Sequence, residues 1–201
     1  NITMSMLLRP ANVKPSCQFW LSEAVALAVV HTLDRYIDNG VSIKWPNDIY
    51  WNDRKICGIL VEHSLSGGKI DHTIAGIGLN INQEKFLSDA PNPVSLRQII
   101  GCDTPLPDVL HLLSEELLRL ADSLPDNAES LHAEFLSRLY RRNGLHTYRN
   151  VADRTADHLA AGEEFCAEIA DVAPDGILTL ARPDGSRPRF AFKEVEFVIG
   201  K

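Results

Sequence analysis

The opening residues NITMSMLLRP alternate in character: Ile2, Met4 and Met6 fall on one side of an extended chain, Thr3 and Ser5 on the other. That period of two predicts a strand with one buried face. A domain seldom opens in mid-strand, so the fold is expected to be incomplete before Asn1. Ser16 is a plausible N-cap for a helix over about 17–38, with Gly40 as its stop. Phe19, Trp20, Leu21, Val25, Leu27, Val29, Val30 and Leu33 cover most of that helix, so it is predicted to be buried against a sheet. VSIKW reads as a strand ended by Pro46. Residues 49–51 and 55–63 are expected to pair as a hairpin about the turn Asn52-Asp53. KICGILVEHSL and KIDHTIAGIGLNIN are strand-like, and SGG joins them as a second turn.

Residues 83–97 are polar and Pro-rich and predict a mobile loop. LPDVLHLLSEELLRLADSL then sets Val109, Leu112, Leu113, Leu117 and Leu120 at helical spacing. AESLHAEFLSRLYRR predicts another amphipathic helix, with Leu131, Phe135 and Leu139 on one side and Glu134–Arg138 as an i,i+4 pair. NGLHTYRN breaks the pattern. From about 151 the texture changes to short strands, EEFCAEIADV, ILTLARP and RFAFKEVEFVI, with Asp175-Gly176 and Asp184-Gly185 as turns; this regular spacing suggests a small barrel of roughly 50 residues. The order of elements predicts an α+β fold, with a mixed, mainly antiparallel sheet and packed helices over 1–148 and a small all-β module over 149–201.

Composition narrows the function classes. A net charge of −7 argues against nucleic-acid binding by phosphate neutralisation. Cys17, Cys57, Cys102 and Cys166 lie far apart, without Cys-x-x-Cys or a neighbouring His, so no zinc site is predicted and reduced thiols in the cytoplasm are the simpler reading. The longest apolar run, AVALAVVHTL, is flanked by Glu23 and Asp34 and is too short to span a bilayer. No signal-peptide pattern opens the sequence. The histidines show no metal-ligand spacing, and His31, on an apolar helix, reads as a packed core residue.

Two motifs look like nucleotide sites and fail as such. GIGLN (76–80) lacks the third glycine, because position 81 is Ile, and no helix follows it. SLSGGK lacks the Walker spacing and fits a tight hairpin turn. Gly76 and Gly78 can still let a flat ligand approach a strand backbone. Lys55, in KWPNDIYWNDRKICGIL, stands where a polar, aromatic stretch meets an apolar strand. Its residue type and place admit two readings, a point-charge partner for carboxylate or phosphate or a snorkelling lysine at a strand end. Asn47 and Asp48 fit a turn after Pro46, and Trp45 and Trp51 fit packing.

Taken together, KWPND (44–48), DRKICGIL (53–60) with Lys55 eleven residues after Lys44, and GIGLNIN (76–82) resemble the catalytic domain of biotin–protein ligases in order, spacing and identity. The resemblance extends, loosely outside these motifs, over essentially the whole chain. It implies a fold like that of class II aminoacyl-tRNA synthetases and biotin ligases, followed by an SH3-like barrel. It implies that biotin's carboxylate attacks the α-phosphate of Mg–ATP to give biotinyl-AMP, and that a lysine of a biotin carboxyl carrier domain then takes the acyl group. Lys55 would hold the two anions together, and Asp48 would orient or deprotonate the incoming lysine. Lys55, Gly58, Leu60, Gly76 and Gly78 would bind biotin. Trp45, Asn47 and Asn80 would line the ATP side, with Mg²⁺ carried by ATP near Asn80 and no separate metal site assigned. The implied enzyme is cytoplasmic, monomeric or homodimeric, and binds neither nucleic acid nor membrane. The family's Gly/Arg-rich loop, which precedes the strand that here begins at Asn1, is not in the sequence, and no winged-helix segment is legible. A lipoate-type adenylating ligase and a non-catalytic carrier-docking module remain as alternatives; KWPND and Gly-Ile-Leu speak against the first.

Overall fold

The computed structural model describes residues 1–87, 92–152 and 159–199. It divides into two units, Asn1–Tyr140 and Arg141–Lys201.

In the first unit, strands β1 (Ile2–Leu8), β2 (Val41–Lys44), β3 (Asp48–Trp51), β4 (Arg54–Ser66) and β5 (Lys69–Leu79) form one sheet in the order β1-β5-β4-β3-β2. All neighbours are antiparallel. The alternation seen in the sequence sets its two faces. Ile2, Leu79, Cys57, Ile49 and Ile43 face one another across the five strands, and all are buried. One residue along, the row is Thr3, Gly78, Gly58, Asp48 and Lys44, none of it buried. A period of two sends one row to the core and the next to the open face. The β4–β5 hairpin turns through Gly67 and Gly68, at φ +57° and +76°, a backbone that side chains disfavour. The turn at Asn52 (φ 51°) is the predicted one.

Helix α1 (Phe19–Leu33) packs on the sheet and is backed by α3 (Leu106–Asp122) and α4 (Ala128–Ser137), with the short α2 (Leu96–Ile100) before them. Covered on several sides, α1 can be apolar around most of its circumference. It is shorter than expected: Ser16 lies in a 3₁₀ turn, Pro15–Cys17, and makes no cap, while Gln18 occupies the N-cap position. The Glu134–Arg138 pair is replaced by contacts to α1. Arg138 bonds Asp34, and Glu134 Oε1 meets His31 Nε2 at 2.7 Å. His31 is therefore a polar bridge, since its Nδ1 lies 3.2 Å from Glu116 on α3. Helix α2 begins inside the predicted loop 83–97, where Ser95 and Gln98 form a capping box whose side-chain bonds offset the unpaired amides of the first turn. Positions 88–91 of that loop lie outside the described residues.

The second unit holds β6 (His146–Asn150), β7 (Glu164–Val172), β8 (Leu178–Ala181), β9 (Arg189–Phe190) and β10 (Val195–Phe197), in the antiparallel order β10-β6-β7-β8-β9. The expected boundary at 148/149 falls inside β6: NGLHTYRN breaks the helical pattern because its second half is a strand of this unit. Tyr148, Phe165 and Phe190 form its aromatic core, with successive ring centroids 6.0 and 5.8 Å apart. Gly176 and Gly185, at the predicted turns, have φ of 91° and 85°.

Phe135 is fully buried and meets Phe19 edge-on at 5.7 Å. Phe135→Ala is expected to cost about 3–5 kcal/mol of stability, read as a lower denaturation midpoint with an unchanged slope.

Candidate active site

The open face of the sheet is bare where Gly58, Gly76 and Gly78 meet. Gly78 pairs with Gly58, and Gly76 with Leu60. None of the three takes the left-handed backbone, and an added Cβ would meet no protein atom closer than 3.4 Å. Neither conformation nor packing within the protein therefore demands glycine here. What glycine supplies is space above the strands, bordered by Thr3 and Ser5 of β1 and by Leu60, which stays 59% exposed.

Lys55 reaches this face through a bulge. Ile49 pairs with Cys57, and Tyr50 pairs with Lys55, so Ile56 is an extra residue on β4. Without it, the period of two would turn Lys55 toward the core side of Cys57 and Ile59. With it, Ile56 and Cys57 are both buried and Lys55 shares the face of Gly58. Its Nζ lies 2.6 Å from Asp48 Oδ1, and Asp48 is itself opposite Gly58. A further clamp holds the Lys55 backbone: its N–H donates to Asn92 O, and its carbonyl accepts from Val94 N, each at 2.9 Å.

Two adjoining clefts share Lys55, Gly58 and Gly78. The first, about 340 Å³, is lined by Thr3, Ser5, Asn47, Asp48, Leu60 and Gly76 among others. The second, also about 340 Å³, adds Cys57, Asn80, Gln83, Phe86 and Pro93. Lys55 thus stands between a cleft floored by glycines and one walled by Phe86 and Pro93.

The predicted residues sort unevenly over this geometry. Asp48, Lys55, Gly58, Leu60, Gly76 and Gly78 come together in the first cleft. Asn47 also lines it, although its side chain is engaged in donating to Ile59 O at 2.6 Å. Asn80 lines the second cleft. Trp45 is only 2% exposed and lines neither cleft. Thr3, Ser5, Gln83, Phe86 and Pro93 were not anticipated. For Thr3 and Ser5 a signal existed, as the polar side of the β1 alternation; the other three enter through tertiary folding alone. Among the described residues, no group of three or more His, Cys, Asp or Glu side chains could hold a metal ion.

The ionised pair sets the surrounding chemistry. Burial, and then the Asp48 carboxylate, push the Tyr50 phenol from its ordinary 10.0 up to about 12. Burial holds the Cys57 thiol well above the usual thiol range, with the Asp48 charge a smaller cause, so Cys57 is an unreactive part of the floor.

Residues 1–80 match the family described as the Biotin/lipoate A/B protein ligase family. The chain is similar to the bifunctional ligase/repressor BirA of Bacillus spizizenii, with 37% identity over 83 residues, 41% of this chain and 25% of that protein. It is also similar to biotin–protein ligase 2 of Arabidopsis thaliana, with 27% identity over 198 residues, 92% of this chain and 57% of that one. The chain thus spans between a quarter and about half of these relatives' lengths. An apo structure of the biotin protein ligase from Aquifex aeolicus aligns with a TM-score of 0.74 at 19% identity, over 98% of this chain and 82% of that one. The same Aquifex protein in complex with biotin and ATP gives 0.73 at 20% identity, over 98% and 78%. The fold is that of the biotin protein ligases, with mixed antiparallel sheets and helices. Among the described residues, no helix is long and apolar enough to cross a membrane.

Tyr50 provides a titration test. An ultraviolet difference titration should show a tyrosine that ionises near pH 12, and Asp48→Asn should lower its midpoint by removing the adjacent negative charge. Because the folded pKa lies above the unfolded one, the Tyr50 contribution to stability is complete below pH 10 and is lost as the pH rises toward 12.

Proposed function

We propose that the chain carries the catalytic site of an ATP-dependent biotin–protein ligase, which activates biotin as biotinyl-5'-AMP and transfers it to a lysine of a biotin carrier domain. The observation that carries this reading is the single ammonium, Lys55, standing between two adjoining clefts of about 340 Å³ each. The family match and the Aquifex likeness support it.

The first cleft suits biotin. Gly76 and Gly78 leave room for its flat bicycle, Leu60 and Gly58 border the rings, and the hydroxyls of Thr3 and Ser5 lie on the rim. Biotin's carboxylate then points at Lys55. The second cleft takes the nucleotide, with Phe86 as an aromatic wall and Asn80 and Gln83 as polar borders; Asn47 reaches the nucleotide from the first cleft, and Trp45 supports the packing around the site. In the first step a carboxylate oxygen bonds to the α-phosphorus, the bond to the bridging oxygen breaks, and pyrophosphate leaves. Two anions must meet, and a fixed cation between them lowers that barrier. In the second step a neutral carrier amine attacks the acyl carbon and AMP leaves. Asp48, already 2.6 Å from Lys55, orients that amine or takes its proton. Mg²⁺ enters as part of MgATP.

The five-stranded antiparallel sheet and aromatic core of the second unit support its reading as an SH3-like barrel. The four free cysteines support action in the reducing cytoplasm.

Biotin-dependent release of pyrophosphate from ATP tests the proposal directly. Lys55→Ala should lower adenylate formation by about 100-fold or more, and turnover near wild type in that variant would remove Lys55 from the role. Gly78→Ala, whose Cβ would meet protein atoms no closer than 3.9 Å, should keep the melting temperature and lose biotin binding. Activation of lipoate but not biotin by the wild-type chain would overturn the substrate assignment.

A further inference from the structure

Asn80 is the one asparagine of the second cleft whose backbone and side chain are all engaged with the protein itself. Its N–H donates to Ile56 O at 3.0 Å, and its carbonyl accepts from Leu96 N at 3.0 Å. Its carboxamide Nδ2 donates to Val94 O at 3.1 Å, and its Oδ1 accepts from Asn1 Nδ2 at 3.4 Å. Asn1 is held in turn: its Oδ1 accepts from Ile81 N at 3.1 Å, and its Nδ2 also donates to Gln83.

These bonds close a ring. The Lys55 carbonyl accepts from Val94 N, the Val94 carbonyl accepts from Asn80 Nδ2, Asn80 N donates to the Ile56 carbonyl, and Ile56 is the residue covalently next to Lys55. The ring encloses the bulge that aims Lys55. A bulge leaves local ladder groups without their ordinary cross-strand partners, and here segment 92–94 and Asn80 supply partners in their place. Only a side chain of this length carrying an amide N–H can serve from position 80. Alanine has no donor, and serine is too short to reach the same carbonyl.

We infer that Asn80 is a positioning residue for Lys55: through Val94 and Ile56 it holds the β4 bulge in register, and so governs the biotin carboxylate end of the site as well as the nucleotide side. The inference rests on the biotin ligase reading. It separates Asn80 from a residue whose sole task is to touch nucleotide, because a nucleotide contact cannot affect biotin binding when no nucleotide is present.

Calorimetry of biotin binding to the full chain without nucleotide tests this. Asn80→Ala should weaken biotin by about 10-fold, the scale of a small displacement of one charged anchor, while the melting curve stays a single cooperative transition. In a Lys55→Ala background the same substitution should change biotin affinity less than two-fold, because the two residues act as one unit. Should Asn80→Ala fail to fold, Asn80→Ser carries the same measurement, since it keeps a small polar side chain and both backbone bonds and loses the carboxamide bonds to Val94 and Asn1. Unchanged biotin affinity with only a raised KM for ATP overturns the inference, as do losses that add in the double variant. A wild-type chain that neither binds biotin nor releases pyrophosphate overturns the ligase reading instead, so the two failures are distinguishable.

Discussion

An ammonium group can stand on the floor of a cleft only if something answers its charge and something fixes its direction. Asp48 does the first, 2.6 Å from Lys55 Nζ, and the bulge at Ile56 does the second. The rest of the unit is arranged around that pair. Strand β3 must pair with β4 to present Asp48 opposite Gly58. Segment 92–94 must return to β4 to grip the Lys55 peptide. The buried row Ile2–Leu79–Cys57–Ile49–Ile43 holds the five strands in the register that places them all. Both charges keep some contact with water, so the pair avoids the full cost of burying ions.

The glycines make the complementary argument. A bare patch on a sheet is usually a weakness, because glycine brings more chain entropy to lose and no side chain to pack. Gly58, Gly76 and Gly78 accept that cost without any backbone requirement of their own, side by side on one face and beside Lys55, a cation that lines both clefts. Bare backbone, an exposed leucine and a fixed charge together describe the shape of a flat, partly apolar carboxylate.

Much of this was legible before the fold was known. The period of two in β1, the strand-like runs of β4 and β5, the Asn52-Asp53 and Gly67-Gly68 turns and the helices α3 and α4 follow from local rules of side-chain alternation and turn geometry. Lys55, Asp48 and the glycines were legible as residues, although local spacing by itself favoured reading Lys55 as a lysine snorkelling from a strand end. The misses share a cause. Ser16 could cap a helix, but Pro15 starts a 3₁₀ turn there instead. Glu134 and Arg138 could pair with each other, but α1 offers His31 and Asp34.

The sequence by itself determined the alternation that makes two faces, the turns that join the strands, and the identities of the charged and glycine positions, because these depend on neighbours a few residues apart. Only the tertiary structure decided that Lys55 faces the cleft and not the core, since a single extra residue in a strand inverts its side-chain phase and nothing in the local pattern marks which residue is extra. It likewise decided that Asn80, Gln83, Phe86 and Pro93 meet beside Lys55. Hydrogen bonds between segments more than a dozen residues apart set that junction, and those bonds exist only once the sheet and the chain returning over it have packed.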